Sequence, residues 1–258
     1  MIYLKTKEEI VLMRNAGKVV ADILDALRET IRPGVSTAEL DRVAEKYVAD
    51  SGGTASFKGY RPFHAAQPFP GTICASVNQE VVHGIPSDAR LLEEGDIVSV
   101  DVGVYLQGYH GDAACTYPVG TVGPVRKKLL EVTEKALGLA IEAALKGNTV
   151  GDIGYAVESY VLQQGFGIVR DYTGHGVGKK LHEAPQVPNF GKRGRGVVLQ
   201  RGMTLAIEPM VMTGKEEVEL GSDEWVVVTA DASDAAHFER SIVITDEGPE
   251  ILTPWASC

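Results

Sequence analysis

The stretch "VSVDVGVYLQGYHGDAA", Val98 to Ala114, places Asp101 and Asp112 eleven residues apart among valines, glycines and other small residues. Aspartate is depleted in strands, and a carboxylate buried among apolar groups without a partner is costly. The alternating run around Asp101 nevertheless reads as a strand, and "GYHGDAACTY" around Asp112 reads as another. A hairpin turning near Gln107–Gly108 brings both side chains to one face. Two carboxylates on one apolar face need a reason.

Working outward, the rest of the chain repeats the theme. Residues 7 to 30 carry Ile10, Met13, Val20, Ile23, Leu24 and Leu27 at helical spacing, behind a Thr6–Glu9 capping-box pattern. Pro33 and Gly34 end that helix, and Ser36 with Glu39 opens another to about Asp50. A Gly- and Pro-rich loop follows from Gly52 to Gly71, then the strand-like run "TICASV". The pattern then restarts, with helices over Val125–Leu145 and "VGDIGYAVESYVLQQ". Strand-like runs follow at "MTLAIEPMV", "EWVVVTA" and "HFERSIVIT".

Gly34–Gly53 laid over Gly147–Phe166 without gaps gives five identities in twenty positions. Leu91–Val104 laid over Val198–Val211 aligns Gly95 with Gly202 and Asp101 with Glu208. The expectation is an α+β chain of two related halves, roughly 1–123 and 124–258, forming a single domain with a shared central site.

Composition narrows the class. The 258 residues are 44% hydrophobic and 23% charged, as in an ordinary globular protein. No apolar run approaches the roughly 18 residues of a membrane span, and "MIYLKTKEEI" has no signal-peptide core. A cytoplasmic monomer without membrane contact is expected. A net charge of -10 argues against DNA as a partner. Three cysteines, Cys74, Cys115 and Cys258, without CxxC spacing suggest neither a disulfide framework nor a zinc knuckle.

In the second half, "LAIEPMV" carries Glu208 and "AHFERSIVI" carries Glu239, both within apolar strand patterns. Between them, "DYTGHGVGKKLHEAP" is a glycine-rich loop with His175 and His182. Four carboxylates in strand interiors plus a glycine-bounded histidine suit a pair of divalent cations, which relieve the repulsion and desolvation of such a cluster. The competing reading pairs each carboxylate with a cation, and Arg240 beside Glu239 is available for that. His175 taken alone reads equally as a loop histidine. Other chemistries fail on spacing: "HEAPQ" is not HExxH, "GHGVGKK" is neither a P-loop nor GxGxxG, and no GxSxG occurs. Metal-assisted hydrolysis remains.

"DIVSVDVG", "GYHGDAACTY", "DYTGHGVGKKLHEAPQVPN", "GMTLAIEPM" and "HFERSIVIT", in this order, resemble the metal-binding segments of type I methionine aminopeptidases. The resemblance runs from about Leu4 to Thr253. It implies the pita-bread (creatinase/aminopeptidase) fold, two pseudo-symmetric halves with a central antiparallel sheet flanked by helices. It also implies removal of the initiator methionine from nascent polypeptides whose second residue is small. A bacterial-style minimal form fits, and the ribosome near its exit tunnel is an implied partner, with "GKRGRG", Gly191 to Gly196, the candidate contact.

Carried over residue by residue, the resemblance implies two divalent ions (Co, Mn, Fe, Ni or Zn) held by Asp101, Asp112, His175, Glu208 and Glu239. Asp112 and Glu239 would bridge, Asp101 would bind one ion, and His175 with Glu208 the other. A hydroxide bridging ions roughly 3.5–4 Å apart would attack the scissile carbonyl. Glu208 would shuttle the proton, His182 would contact the carbonyl, and His83, in "EVVHGIP", would meet the substrate's backbone nitrogen. His83 reads equally as a turn histidine before Gly84. Tyr60, Phe69, Cys74, Leu181 and Trp225 are the implied methionine pocket, though each also fits a plain core.

Two departures stand out. "RPFHAAQPFPGTI", between Tyr60 and Cys74, is several residues longer than in the family, and His64 within it has no assigned role. Leu181 stands where the family often has phenylalanine. Within the fold class, a proline-specific aminopeptidase and a catalytically dead peptide-binding module are the alternatives. The dead module is disfavoured because all five ligand types are present.

Overall fold

The computed structural model describes residues 2–62 and 65–256, so His64 and Cys258 lie outside the described residues. Thr6 starts α1 (Lys7–Thr30) with the reciprocal cap that its spacing from Glu9 predicts. Ser36 caps α2 (Thr37–Asp50) through its hydroxyl, which accepts from the Glu39 N–H. After β1 (Thr54–Ala55) come β2 (Ile73–Val77), β3 (Glu80–Val82), β4 (Ile97–Leu106) and β5 (Tyr109–Pro118).

β4 and β5 form the expected hairpin, with Asp101 opposite Ala114 and Gly103 opposite Asp112. Because side chains alternate with period two, this register sets both aspartates on one face, diagonally adjacent. The turn is made by Gln107 and Gly108, both with positive φ (53° and 92°), which matches the twist of a two-residue hairpin. α1 lays Val20, Leu24 and Leu27 against Val100, Val102 and Cys115 in the main core. Cys115 is disulfide-bonded, contrary to the expectation from the odd, widely spaced cysteines. Spacing along the chain does not report which sulfurs the fold brings together. Cys74 is free and buried.

The second half opens with α3 (Pro124–Ala143) and α4 (Val150–Gln163). Short strands follow: β6 (Gly167–Ile168), β7 (Gly174–Gly176), β8 (Glu183–Val187), β9 (Thr204–Ile207) and β10 (Met210–Met212). The last are β11 (Val218–Leu220), β12 (Val227–Thr229), β13 (Ala235–His237), β14 (Arg240–Ile244) and β15 (Pro249–Ile251). All pairings are antiparallel. The expected central sheet is divided: β1-β4-β2 with β5 in the first half, β15-β14-β9-β7-β8 in the second, and two three-stranded sheets beside them.

Glu208 and Glu239 do not sit in strand interiors as expected. Each falls at a break, Glu208 between β9 and β10, Glu239 between β13 and β14. Pro209 has no N–H to offer a ladder, and the Phe238 N–H donates to its carbonyl at 3.3 Å. The Glu239 N–H crosses instead to the Ala114 carbonyl of β5 at 2.8 Å, and the Ser241 hydroxyl donates to the Asp112 carbonyl at 2.7 Å. These bonds sew the two halves together directly beneath the carboxylates.

The repeat is visible in the backbone. Ser36 bridges Leu91 and Thr149 bridges Val198, at matching positions of the two superposed segments. Gly34 donates to the Leu92 carbonyl at 2.7 Å, and its counterpart Gly147 donates to that of Leu199 at 3.0 Å. One hydrophobic cluster joins Leu24 and Val102 to Leu205, Phe238 and Ile242, so the halves share a core. No helix among the described residues is long and apolar enough to cross a membrane.

Candidate metal centre

Asp101, Asp112, His175, His182, Glu208 and Glu239 line one cavity of about 450 Å³. β4 and β5 supply the aspartates, β7 supplies His175, and the two strand breaks supply the glutamates. β7 threads between β8 and β9, and a Cβ on Gly174 or Gly176 would lie 2.5 Å from the Ala206 carbonyl oxygen or 2.4 Å from that of Ala184. Only glycines on both sides of His175 permit that approach.

His175 Nδ1 meets the Gly176 carbonyl at 2.9 Å, which fixes the proton there and leaves Nε2 as an acceptor facing the carboxylates. Nε2 lies 3.7 Å from Asp112 Oδ2 and 3.6 Å from Glu208 Oε1. Burial, with a smaller contribution from His182, lowers the His175 pKa to about 4, so the ring is neutral.

Three of the four carboxylates keep an oxygen without a partner. Asp101 Oδ1, Asp112 Oδ1 and Glu239 Oε1 are buried with no hydrogen-bond partner among the described residues. Burial pushes Asp101 up to about 7. Burial first, then mutual repulsion, drives Asp112, Glu208 and Glu239 well above the usual carboxylate range. Arg240 does not relieve them. Its guanidinium donates to the Thr253 and Trp255 carbonyls and stacks 3.7 Å from the Trp255 ring centroid. The carboxylate–arginine reading therefore fails at Glu239. Oxygen donors without protein partners around a neutral imidazole are the donor set a divalent cation requires. One atom each from Asp112, His175 and Glu239 already lies within 4.8 Å of the other two.

His182 is exposed at the mouth, its ring 4.5 Å from that of His175, and desolvation by the surrounding walls lowers its pKa. Tyr60, 41% exposed, stands over it, with the hydroxyl 3.5 Å from His182 Nδ1. Tyr60 therefore borders His182 rather than the apolar cluster formed by Phe69, Cys74 and Trp225 together with Ala65. Phe69 and Trp225 meet edge to face at 5.1 Å, and Cys74 is opposite Asp101 in the β2–β4 register. Burial, then Asp101, raises the Cys74 thiol well above its usual range, which makes it a packing group. Leu181 is buried beside His182, outside that cluster. His83 has positive φ (62°) and faces the rings of Tyr172 at 5.7 Å and Trp225 at 6.3 Å.

The loop between Tyr60 and Cys74 is tied down by three hydrogen bonds among its described residues. The Phe69 N–H donates to the Tyr60 carbonyl at 2.8 Å, and the Trp225 indole donates to the Gln67 carbonyl at 3.3 Å. The Ala66 N–H donates to the Glu224 carboxylate at 2.8 Å.

Two histidines escaped sequence reasoning. His237 is 2% exposed, with Nε2 3.6 Å from Glu208 Oε2. His110 meets the Ser56 hydroxyl through Nδ1 at 2.8 Å, and burial, then His182, lowers its pKa to about 4. Each stands two residues before a cavity-lining carboxylate, Glu239 and Asp112 respectively, a spacing readable in "AHFE" and "YHGD".

The family model for metallopeptidase family M24 matches residues 11–246. A methionine aminopeptidase of Clostridium acetobutylicum is 49% identical over 253 residues, covering 98% of this chain and 99% of its own. That of Escherichia coli K12 is 42% identical, covering 98% and 94%. The crystal structure of methionine aminopeptidase from Thermotoga maritima superposes with a TM-score of 0.94 at 45% identity, covering 98% of this chain and 99% of that one. A Bacillus anthracis Xaa-Pro dipeptidase shares the fold alone, with a TM-score of 0.77 at 24% identity.

Proposed function

The chain belongs to metallopeptidase family M24, and from that membership we propose that it removes N-terminal methionine from polypeptides as a type I methionine aminopeptidase. The observation that carries this reading is the convergence of Asp112 and Glu239, each with an orphaned oxygen, on a neutral His175, in a cavity that Asp101 also lines. The substrates in this reading are nascent chains with a small second residue. The protein acts as a monomer in the cytoplasm, and its whole length, with halves meeting near Gly123, is one catalytic domain.

Asp101, Asp112, His175, Glu208 and Glu239 would hold two divalent ions of the Co, Mn, Fe, Ni or Zn class. Bound there, such cations supply Lewis acidity and a water made acidic enough to deprotonate near neutral pH. The protein's own groups do the rest. Glu208, with burial raising its affinity for protons, carries a proton from the nucleophilic water toward the leaving amine. His182, exposed at the mouth, donates to the substrate carbonyl oxygen as charge develops on it. His83, beside Trp225, holds the backbone nitrogen of the substrate. Phe69, Cys74 and Trp225 form the apolar wall for the methionine side chain, with Tyr60 and Leu181 at its His182 edge. The exposed turn containing Lys192, Arg193 and Arg195 offers positive charge for a ribosome contact.

The test is hydrolysis of Met-Ala-Ser against Ala-Pro-Ser by metal-stripped protein, before and after addition of manganese or cobalt. Metal-dependent release of methionine from the first peptide alone is expected. Cleavage of the second peptide instead would transfer the chain to a proline-directed activity.

A further inference from the structure

Glu208 lies between two imidazoles. Its Oε1 is 3.6 Å from His175 Nε2, and its Oε2 is 3.6 Å from His237 Nε2. His175 belongs to the metal centre, but His237 has been given no role. It is 2% exposed, and its Nε2 is buried without a hydrogen-bond partner among the described residues. A buried ring nitrogen left unpaired is expensive, so its retention beside a carboxylate needs an explanation.

The His237 backbone is also held in place from behind. The His237 N–H donates to Thr116 Oγ1 at 2.8 Å, and the same hydroxyl donates back to the His237 carbonyl at 2.8 Å. Ser99 Oγ meets Thr116 Oγ1 at 2.8 Å and completes that buried chain. β4, β5 and β13 thus fix the backbone from which the imidazole reaches Glu208.

We propose that His237 is a positioning residue whose Nε2, 3.6 Å from Glu208 Oε2 and just beyond a formed hydrogen bond, engages that oxygen when the site is loaded and reserves Oε1 on the His175 side for the cation. The assignment rests on the reading of Glu208 as both ligand and proton carrier. A carboxylate with both oxygens free can rotate or ligate through either, whereas a donor on one oxygen divides the two tasks between them. Donors behind a ligating group commonly change metal affinity or activity by about 10- to 100-fold when removed. At the break the backbone is held from the other side, the Asn189 amide donating to the Glu208 carbonyl at 3.0 Å, which leaves the carboxylate aimed between the two rings.

The experiment compares His237→Leu, His237→Gln and Glu208→Gln with the parent protein. Glutamine places an amide donor near the position of the imidazole Nε2, and leucine places none. Metal-stripped proteins are titrated with cobalt(II), recording affinity, stoichiometry and the visible absorption bands, and kcat and KM are measured on Met-Ala-Ser. For His237→Leu we expect cobalt affinity and kcat each to fall about 10- to 100-fold, with altered visible bands and KM within about twofold. His237→Gln should recover most of each loss. Parent-like cobalt binding, spectrum and kcat in His237→Leu would overturn the assignment. If the leucine variant does not fold, a His237→Gln protein no better than His237→Asn, whose shorter amide cannot reach Glu208, overturns it equally. Glu208→Gln separates the two levels: if it turns over normally, the reading of Glu208 fails and this inference with it. If it is inactive while His237→Leu is parent-like, only the inference falls.

Discussion

The two halves deliver their carboxylates by opposite means. Asp101 and Asp112 stand in the middle of unbroken ten-residue strands, on a hairpin whose register alone sets them side by side. Glu208 and Glu239 stand where strands stop, held by Pro209, by the cross-half bond to Ala114 and by the Trp255 indole on the Glu239 carbonyl at 3.0 Å. A hairpin defines two ligands rigidly but aims both the same way. Breaks release the backbone from the pleat, so the facing half can aim its ligands back across the cavity. The site therefore combines a fixed wall with an adjustable one, and each wall can be tested.

The largest effect should come from the fixed wall. Asp112→Asn removes a buried oxygen donor while keeping its volume, and kcat on Met-Ala-Ser should fall by about 10³-fold or more. The metal-free variant should not melt below the metal-free parent, because an isosteric neutral amide replaces a buried carboxyl whose Oδ1 already lacks a partner. A variant that melts well below the parent would mean that Asp112 is a structural group. Next is the cavity mouth: His182→Ala should lower kcat by about 10²-fold with cobalt stoichiometry unchanged, as for an oxyanion donor that is not a ligand. Loss of a bound ion in that variant would place His182 among the ligands instead.

How much of this was legible beforehand follows the same division. The hairpin and the caps at Thr6 and Ser36 were readable because each is a local pattern of short period. The repeat, though faint in identities, marked the positions where Ser36–Leu91 and Thr149–Val198 bridges form. The break at Glu239 was not readable, because "HFERSIVIT" carries no breaker, whereas Pro209 in "LAIEPMV" is a breaker the apolar rhythm masked. What interrupts those strands is Pro209 together with hydrogen bonds to the other half, and the latter are tertiary. His237 was passed over for a related reason: its partner, Glu208, is 29 residues away and comes near only after folding. The Tyr60–His182 contact is equally long-range.

The fixed wall should also govern how metal-free stability depends on pH. Burial raises Asp101 from an ordinary 3.8 to about 7 in the folded state. The folded chain therefore binds more protons than the unfolded one between those values, so stability is greatest at the acid end of that window and declines as pH rises through it. Between pH 5 and pH 8 the raised Asp101 carboxyl pulls the stability of the metal-free protein downward. Denaturant midpoints of the parent and of Asp101→Asn at the two pH values, compared by difference, measure the loss, and saturating manganese should abolish most of it. His110, His175 and His182, whose pKa values burial lowers, push stability the other way over the same range. A pH dependence identical in parent and Asp101→Asn is therefore the result that would contradict the buried state of Asp101.

The smallest effect tests the adjustable wall by itself. Trp255 donates its indole N–H to the Glu239 carbonyl and provides the face on which Arg240 stacks, so this one residue braces the second break. Trp255→Phe keeps most of the ring and removes that donor, which should cost about 1 kcal/mol of stability. The informative quantity is where else the change registers. If the break is as adjustable as its lack of ladder bonds implies, cobalt affinity should weaken along with stability, because Glu239 relaxes from its aim at the cavity. A variant that loses stability with cobalt affinity unchanged would mean that the Glu239 N–H bond to Ala114 suffices to aim the ligand, and the second wall would then be as rigid as the hairpin.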